Sequence, residues 1–509
     1  MRLRDILEDI EILEMRGNID FDKNYENIYY NSKVVNKDGI FVAIVGHLTD
    51  GHKYIKDAIK NGASLAIVEN FVNEDINQIK VKNSRYALAD MGNNFYNKPS
   101  KKIKIVGITA TNGKTTTSFM VDKIFRDTGL KTGLVGTVYT KYDDVVIPSI
   151  LTTPESFDLQ GIFSDMIKKK IEIATMEVSS SAEELSRVKN VDFDIVCFNN
   201  FSEDHIEQHG SLENYYKAKS KLILEAKKDA ISILNMDFEE IKILRDKTQS
   251  KVLTYSLSSD IYDFGISNLD LSTGSGKFNF NINRDIDLGD VVLKKGSFKI
   301  NLKVAGYSSV MNSVVAIIVA LCQGVGIKTI QNSINDFSGV ERRFELLLDN
   351  EFKVIDDHYA NVKNIDVTME TLSKMEFNNL KMLYAIRGSR GVELNKQTAI
   401  LTAKWLKKLG EDHLYVTLSK DSVSKKDEVL EKELEVFSEV MKEYGIKFTL
   451  YDNLKDGVIS VLRDINKGDL ILLAGCQGMD KAAKYMYDYL KTTNIKISGL
   501  KDKIINRIC

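Results

Sequence analysis

Residues 107–117 read GITATNGKTTT, a Gly-Lys-Thr turn between an apolar segment and a stretch typical of a helix. Such a turn directs successive backbone amides and a helix N-terminus at one point, an arrangement that binds phosphates. Lys114 would add a charge for the outer phosphates, the Thr115 hydroxyl can ligate Mg²⁺, and Gly113 admits a ligand close to the backbone. The segment therefore predicts ATP-binding residues, namely Thr109, Ala110, Thr111, Asn112, Gly113, Lys114, Thr115 and Thr116.

The spacing of this loop departs from the usual pattern, because five residues and not four separate Gly107 from Gly113. A Thr-rich helix cap would give a similar sequence, since Thr and Asn also cap helices. The apolar strand before the turn and the helix after it favour nucleotide binding over a simple cap.

The elements around the loop alternate between apolar strands and amphipathic helices, which predicts parallel sheets covered on both faces. Residues 28–96 form a small α/β unit, and the polar segment NKPSKK (97–102) marks a domain boundary. A period-two pattern between about 251 and 304 predicts a small antiparallel insertion. From about residue 331 the alternation resumes, with strands KVIDD (353–357), LKMLYAI (380–386), HLYVTLS (413–419), KFTLYD (447–452) and DLILLAG (469–475).

These patterns predict an α/β fold of three domains, which suits a chain of 509 residues. The first is a small N-terminal α/β domain over residues 1–98. The second is a central parallel-sheet ATPase domain over residues 99–330, which carries the antiparallel insertion. The third is a C-terminal Rossmann-like α/β domain over residues 331–509.

The charge balance argues against a nucleic-acid-binding protein, because 70 basic residues face 72 acidic ones and create no overall field. The four cysteines contain no Cys-x-x-Cys pair, which argues against a zinc ribbon or a disulfide framework. Acids interrupt the apolar positions of the N-terminus, so it lacks the pattern of a signal peptide, and the most apolar run, residues 310–325, is too short to span a membrane. We expect a cytoplasmic protein with reduced thiols.

Several further motifs follow the loop in order. Together with the loop they are TNGKTTT (111–117), LTTPES (151–156), MEVSSSAEELSR (176–187), FNNFSEDHIEQHGSLENYYKAKSKL (198–222) and LNMD (234–237). In this order they resemble the motifs of the Mur ligases, and residues 28–63 resemble the uridine-nucleotide domain of that family. An ordered set of motifs is far more specific than any one of them. The likeness covers the first two thirds of the chain.

The resemblance implies an ATP-dependent ligase of peptidoglycan synthesis, and hence of cell wall biogenesis, cell shape and cell division. Mur ligases use ATP and Mg²⁺ to activate a peptide carboxylate as an acyl phosphate, after which the amine of an amino acid attacks and phosphate leaves. The implied substrates are a UDP-linked muramoyl peptide and a free amino acid, and a monomer is expected. Such a reaction depends mainly on positioning and electrostatic stabilisation.

Four residues match the family's catalytic positions: Lys114, Glu177, His205 and Lys219. Glu177 would ligate Mg²⁺ together with Thr115, although a solvated glutamate at a strand end gives the same pattern. His205 matches the histidine at the second metal, whereas a lone histidine is more often structural. Lys219 matches a lysine that is carbamylated in the family and supports the metal site, whereas by composition alone it is a surface lysine on a charged helix.

Other matches concern the substrates. Ser32 corresponds to the uridine contact of the family. Asn312 matches an asparagine near the adenine, Arg343 matches an arginine at the hinge between domains, and Asp357 is the candidate nucleotide-facing acid. A surface arginine pair would also explain Arg343. Hydroxyls and an arginine suit an anionic sugar-peptide, and the residues that match its site are Thr152, Thr153, Ser179 and Arg187.

The C-terminal third departs from the family. The segment DDHYANVKN (356–364) lacks the family's proline, and IRGSRGVELNK (386–396) lacks its acids. An Asp-Asn-Pro-Arg-like loop that selects the incoming amino acid should follow the strand at 413–419, where this chain reads KDSVSKKDE (420–428). The incoming amino acid is therefore open, and it need not be diaminopimelate or lysine.

Two other interpretations stay open. A Mur-like amide ligase could act on another carboxylate in a different pathway, as relatives of folylpolyglutamate or cyanophycin synthetase do, although the uridine-domain likeness argues against this. A nucleotide-binding regulatory paralogue without ligase turnover would explain the altered C-terminal domain. The matches at Lys114, Glu177, His205 and Lys219 argue against loss of the first chemical step.

Overall fold

The chain forms two compact units in its structure, a computed structural model that describes residues 1–46, 49–203, 209–272, 275–493, 495, 497, 500–505 and 507. The first unit comprises Met1–Gly265, Asn281–Gly296 and Asn312–Ile330, and the second comprises Ile266–Phe280, Ser297–Met311 and Gln331–Cys509. Within the described residues, no helix combines the length and the apolar character that crossing a membrane requires. The division into three domains stays a prediction.

The N-terminal part of the first unit is a five-stranded sheet with apolar cores on both faces. Its strands are β1 (Ile12–Arg16), β2 (Ile28–Tyr29), β3 (Gly39–Val42), β4 (Ala63–Val68) and β5 (Asn77–Val81), and its helices are α1 (Leu3–Ile6), α2 (Ile55–Asn61) and α3 (Ser84–Phe95). The strand order is β1-β5-β4-β3-β2, with only β1 antiparallel to its neighbour. Ile40 and Val42 enter one core and Phe41 the other, because successive side chains point to opposite faces.

The central part of the first unit is a larger, mostly parallel sheet. Its strands are β6 (Lys104–Thr109), β7 (Thr132–Val135), β8 (Tyr139–Tyr142), β9 (Val145–Pro148), β10 (Ile173–Glu177), β11 (Ile195–Phe198), β12 (Ile231–Asn235) and β13 (Lys251–Tyr255). Their order is β13-β12-β11-β6-β10-β7-β8-β9. All pairs from β13 to β7 are parallel, whereas β8 and β9 are antiparallel. β6 therefore lies inside the sheet, between β11 and β10.

Helices cover this sheet as the alternation of strands and helices predicts. They are α4 (Lys114–Asp127), α5 (Ser156–Lys168), α6 (Ser180–Glu184), α7 (Leu212–Leu224) and α8 (Glu239–Lys242). Every residue of β10 and β11 is buried, as expected of parallel strands covered on both faces. Because parallel strands end at the same edge, the loops after β6, β7, β10 and β11 meet there.

The predicted insertion begins later than the sequence pattern indicates. β13 is parallel to β12, so the segment from Lys251 to Tyr255 still belongs to the parallel sheet. The period-two pattern is borne out in β15, where alternate residues are buried. The elements that follow β13 are β14 (Phe264–Asp270), β15 (Ser275–Ile282), β16 (Ile286–Asp287), β17 (Val292–Leu293), β18 (Gly296–Ala305), α9 (Tyr307–Cys322) and α10 (Ile327–Asp336).

The second unit contains a six-stranded sheet with a core on each face, which confirms the predicted Rossmann-like architecture. Its strands are β19 (Glu345–Asp349), β20 (Lys353–Asp357), β21 (Leu380–Ala385), β22 (His413–Thr417), β23 (Lys447–Tyr451) and β24 (Leu470–Ala474). They follow the order β19-β20-β24-β21-β22-β23, and only β19 is antiparallel. The helices are α11 (Val362–Leu372), α12 (Val392–Leu409), α13 (Glu431–Glu443), α14 (Leu454–Arg463), α15 (Ala482–Leu490) and α16 (Leu500–Ile505).

Candidate active site

The predicted phosphate loop lies between the end of β6 and the start of α4. Its last residue, Gly113, precedes α4 with a φ of 85°, in the left-handed region that glycine adopts without strain. A Cβ at Gly113 would lie 2.3 Å from Oδ1 of Asn312, so the side chain of Asn312 packs directly on the loop. Asn312 is buried, and Nδ2 of Asn199 donates a hydrogen bond of 2.8 Å to its Oδ1. The structure thus brings the predicted adenine-proximal residue to the loop.

The strand next to β6 holds the loop in shape through Asn200, a residue that sequence analysis missed. The amide of Thr111 donates to the carbonyl of Asn200 at 2.9 Å. The amide of Asn112 donates to Oδ1 of Asn200 at 3.0 Å, and Nδ2 of Asn200 donates to the carbonyl of Asn112 at 2.8 Å. Its position directly after a buried strand, in the FNN motif, is the feature that could have identified it.

Lys114, the first residue of α4, turns back onto the loop. Its Nζ donates to the carbonyls of Ala110 at 2.8 Å and Thr111 at 3.1 Å. Three amides, those of Lys114, Thr115 and Thr116, open α4, and the first amides of an α-helix have no acceptor within the helix. A positive side chain and a helix N-terminus therefore lie together at the carboxyl end of β6, which is an arrangement suited to an anion.

Glu177 ends β10 beside the first turn of α4 and is buried, so it is not a solvated glutamate at a strand end. Its Oε2 accepts from the hydroxyls of Thr115 and Thr137, both at 2.9 Å, and its Oε1 accepts from the amide of Thr137 at 2.8 Å. A Cβ at Gly136 would lie 2.3 Å from Oε1, so this glycine makes room for the carboxylate. Thr137 lies in the loop after β7, the strand next to β10, and sequence analysis missed it.

The residues predicted to hold the muramoyl peptide continue from this carboxylate. The hydroxyl of Thr152 lies 3.2 Å from that of Thr137. Thr153 is buried and donates to the carbonyl of Glu177 at 2.9 Å, and the amide of Ser179 donates to the Thr153 hydroxyl at 3.2 Å. Thr152, Thr153 and Ser179 therefore share one hydrogen-bonded network with Glu177.

Arg187 joins the same network. Its Nη1 donates to the carbonyl of Thr153 at 3.3 Å, and its Nε donates to Glu155 at 2.9 Å. Glu155 also forms an ion pair of 3.4 Å with Arg85 of α3. Ser32 lies apart from this cluster in the N-terminal sheet, in a 3-10 helix after β2, where its carbonyl accepts from Asn61 at 2.8 Å.

Lys219 is buried, although composition alone places it on a charged surface. Its Nζ donates to the carbonyl of Ala110 in the phosphate loop at 2.7 Å and lies 5.0 Å from the ring centroid of Tyr215. Lys217 on the same helix is 65% exposed and pairs with Glu213. The alternative of a surface lysine is therefore excluded for Lys219, whereas Lys217 is such a lysine.

Known proteins match this chain over most of its length. The family models of the Mur ligase family, catalytic domain, and of the Mur ligase middle domain match residues 24–96 and 108–320. The UDP-N-acetylmuramoyl-L-alanyl-D-glutamate--2,6-diaminopimelate ligase of Clostridium tetani is 34% identical over 77% of this chain and 79% of that protein. The protein of the same name from Caldanaerobacter subterraneus subsp. tengcongensis is 31% identical over 93% of this chain and 94% of that protein. The chain belongs to the Mur ligase family.

As a Mur ligase, the chain is an ATP-dependent ligase that forms C–N bonds. A solved structure of a UDP-N-acetylmuramoyl-L-alanyl-D-glutamate--2,6-diaminopimelate ligase has a TM-score of 0.66 at 20% identity, and the match covers 96% of this chain and 99% of that chain. The Mur ligase fold therefore extends over the C-terminal third, which the two family models do not match.

One expected metal ligand of this Mur ligase, His205, lies outside the described residues. The next histidine of the same motif, His209, is buried. Its Nδ1 lies 2.9 Å from Glu184, and its Nε2 lies 2.9 Å from the hydroxyl of Ser180. His209 therefore fastens the start of α7 to α6.

The remaining predicted nucleotide residues belong to the second unit. Asp357 ends β20 and accepts from the amides of Phe344 at 2.8 Å and Tyr359 at 3.0 Å, and from the Thr368 hydroxyl at 2.9 Å. Burial raises the pKa of Asp357, and these donors together with Arg343 oppose the rise. Arg343 is partly exposed. Its role and that of Asp357 toward ATP stay predictions.

Residues 420–428 stand where the family has its amino-acid selector. Two acids of this segment accept hydrogen bonds from other residues of the second unit. Asp421 accepts from the amide of Leu454 at 2.8 Å and so satisfies the N-terminus of α14. Asp427 accepts from Arg390 at 3.0 Å. Lys420 pairs with Asp452 at 2.7 Å on the surface. These charges stabilise the local fold, and the segment carries no arginine.

Proposed function

We propose that this Mur ligase adds an amino acid to a UDP-N-acetylmuramoyl peptide in peptidoglycan synthesis, through an acyl phosphate formed with ATP. The observation that carries the proposal is the continuous path of hydrogen bonds from Thr115 of the phosphate loop, through Glu177 and Thr137, to Thr152. A phosphate loop and a second substrate site that share one carboxylate suit a reaction between ATP and a second anion. The names of the relatives support the choice of substrate.

The donor set around Glu177 fits Mg²⁺. A carboxylate and the hydroxyls of Thr115 and Thr137 are oxygen ligands, which this ion prefers, and the lack of a side chain at Gly136 leaves room for the carboxylate. We propose that Thr115 and Glu177 hold one ion, and that His205 and a carbamylated Lys219 support the second. Mg²⁺ bound there would offset the negative charge of the phosphates and of the substrate carboxylate.

The protein groups would then act by positioning. Lys114 would exchange the carbonyls of Ala110 and Thr111 for the outer phosphates, and the first amides of α4 would hold the phosphates in line. A substrate carboxylate oxygen attacks the outer phosphorus and ADP leaves. The amine nitrogen then attacks the acyl carbon, phosphate leaves, and the new amide loses a proton. These steps need closely placed anions more than a covalent catalyst.

The substrate would lie along the remaining predicted residues. Thr152, Thr153, Ser179 and Arg187 would contact the muramoyl peptide, and Ser32 would contact the uridine. Arg187 would keep its ion pair with Glu155 on one side and present its other nitrogens to an anion. The incoming amino acid is a separate question, since the selector segment offers lysines without the fork of an arginine.

The proposal is tested by incubating the purified protein with ATP, Mg²⁺, UDP-N-acetylmuramoyl-L-alanyl-D-glutamate and a pool of amino acids. We expect release of ADP and phosphate together with one product whose mass exceeds that of the peptide substrate by one amino-acid residue. ADP release that does not depend on the muramoyl peptide, or a product built on another carboxylate, would contradict the proposed substrate.

A further inference from the structure

A cavity of about 690 Å³ lies in the first unit, and none of the residues assigned to ATP or the muramoyl peptide lines it. Its wall comes from α3, from the segment that joins α6 to β11, and from the C-terminal half of α7. Tyr86, Val188, Phe193 and Leu222 supply apolar surface, and charged or amide side chains supply the rest. None of the residues that surround Glu177 or the phosphate loop lines it. It is therefore a separate feature of the molecule.

Glu183 of α6 is the unusual residue of this wall. It is only 6% exposed, and its Oε1 has no hydrogen-bond partner among the described residues. A buried polar atom normally finds a partner, because leaving a buried acceptor without a donor is unfavourable. Glu183 thus lines the cavity with a carboxyl group that lacks one donor.

The groups next to Glu183 favour a cationic donor. Burial, followed by repulsion from Glu225, raises the pKa of Glu183 to about 8, against the opposing effects of Lys221 and Lys219. Lys221 donates at 3.4 Å to the backbone carbonyl of Glu183 and leaves the carboxyl group unsatisfied. A positive donor beside this carboxyl would satisfy Oε1 and favour its charged form.

The other charged residues of the wall largely neutralise one another. Three of its lysines form ion pairs with acids of the same wall. The pairs are Lys98 with Glu8 at 3.5 Å, Lys227 with Asp192 at 2.5 Å, and Lys189 with Asp90. Outside these pairs the wall holds three acids, Asp9, Glu183 and Glu225, and two lysines, Lys101 and Lys221, so acids are in excess when all five are ionised.

We propose that this cavity binds a small polar ligand through a primary ammonium group that donates to Glu183. A divalent metal ion fits less well, because no group of three metal-binding side chains occurs in the described part of the chain. The carboxylates of Glu183 and Glu225 in the wall would repel an anion. An ammonium ion supplies the missing donor and the opposite charge together.

The experiment measures binding of putrescine to the full chain at pH 8 by calorimetry, without ATP or muramoyl peptide. The matched probe is 1,4-butanediol, which has the same length and no charge. We expect saturable binding of putrescine and none of the diol. Glu183→Gln keeps the shape and removes the charge, so it should weaken putrescine binding by about tenfold or more, the effect of a charge-assisted hydrogen bond.

Two further variants separate this site from general charge effects. Glu8→Gln at the exposed mouth should change the affinity by less than about twofold, since surface charges act weakly. Lys221→Met removes a competing cation and should strengthen putrescine binding by about threefold. If Glu183→Gln fails to fold, the affinity of Lys221→Met for putrescine still tests the proposal. Absence of putrescine binding, equal binding of the diol, unchanged affinity in Glu183→Gln, or no gain in Lys221→Met would each overturn the proposal.

Discussion

Each of the two large sheets has a buried glutamate near the carboxyl ends of its strands, and the two glutamates accept hydrogen bonds from different kinds of donor. In the first unit, Glu177 accepts two of its three hydrogen bonds from the hydroxyls of Thr115 and Thr137. In the second unit, Glu433 of α13 accepts four, all from backbone amides. The donors are Ser389, Arg390, Gly391 and Leu430, at 2.7–2.9 Å.

The kind of donor distinguishes a carboxylate that can bind a ligand from one that only stabilises the fold. A hydroxyl rotates about one bond and can turn from a carboxylate to a ligand, whereas a backbone amide is fixed by the chain. Burial acts to raise the pKa of Glu433, but its four amides lower the pKa below the ordinary value. Glu433 therefore fastens the loop before α12 to the start of α13, while the partners of Glu177 can be exchanged for a ligand.

The largest effect should come from Lys114→Ala at the first edge. The variant removes the charge that we propose for the outer phosphates and touches no core packing, so we expect ligase activity to fall by about a hundredfold to a thousandfold with unchanged thermal stability. Lys123→Ala, at a partly exposed position of the same helix, is the control and should keep full activity. ADP release within a few fold of the parent would contradict the phosphate-loop assignment.

The next effect concerns Lys219 and its neighbour on α7. Lys219→Ala or Lys219→Gln should leave little activity, and added acetate or formate should restore part of it by replacing the carboxylate of the carbamate at the metal. Lys217→Ala should behave like the parent, because Lys217 is exposed. Full activity of the Lys219 variants, with no response to carboxylates, would show that the buried lysine supports only the loop.

At the second edge, Glu433→Gln should reduce stability. Loss of the charge weakens four hydrogen bonds to one carboxylate, and we expect the free energy of unfolding to fall by about 1.5–3 kcal/mol at pH 7. Because the folded pKa lies below the ordinary 4.5, this stabilisation is complete above that value and is lost as the pH falls through the folded pKa. Urea unfolding of the parent and of Glu433→Gln at pH 7 and at pH 4 measures this difference in the free energy of unfolding. A difference that is larger at pH 4 than at pH 7 would contradict the stabilising role of the Glu433 carboxylate.

The smallest expected effect is on the choice of amino acid. Diaminopimelate presents a distal carboxylate, which an arginine fork binds best, and the segment 420–428 offers only lysines. We expect another amino acid to be preferred by about tenfold, the value of a lost charged contact. A competition at equal concentrations of diaminopimelate, L-lysine, L-ornithine and neutral amino acids measures the ratio. Preference for diaminopimelate would place selectivity elsewhere in the second unit.

The sequence predicted the first edge well because its parts carry side-chain signatures. Apolar runs marked the strands, and the turn GITATNGKTTT marked the loop. Helical spacing also explains the burial of Lys219, which composition missed. Tyr215, Ala218, Lys219, Leu222 and Ile223 repeat at three and four residues and lie on the buried face of α7. A lysine on an apolar stripe is the pattern that distinguishes it from Lys217.

The second edge could not be predicted in the same way. Backbone amides bind Glu433, so the residue types of the loop leave no signature of the contact. The carboxylate and the loop are also 42–44 residues apart in the chain. Thr137 was missed for a related reason, since a threonine after a strand is common and only its position beside Glu177 gives it meaning.

The contact between Asn312 and the phosphate loop affects how the chain matures on the ribosome. Asn312 follows Asn199, its hydrogen-bond partner, by 113 residues, and residues of the second unit are synthesised between them. Domains generally begin to fold in the order of their synthesis. Gly113 and Asn199 therefore emerge long before the side chain that packs on the loop, and a nascent chain that stops short of residue 312 would carry the whole TNGKTTT motif without the side chain that covers Gly113.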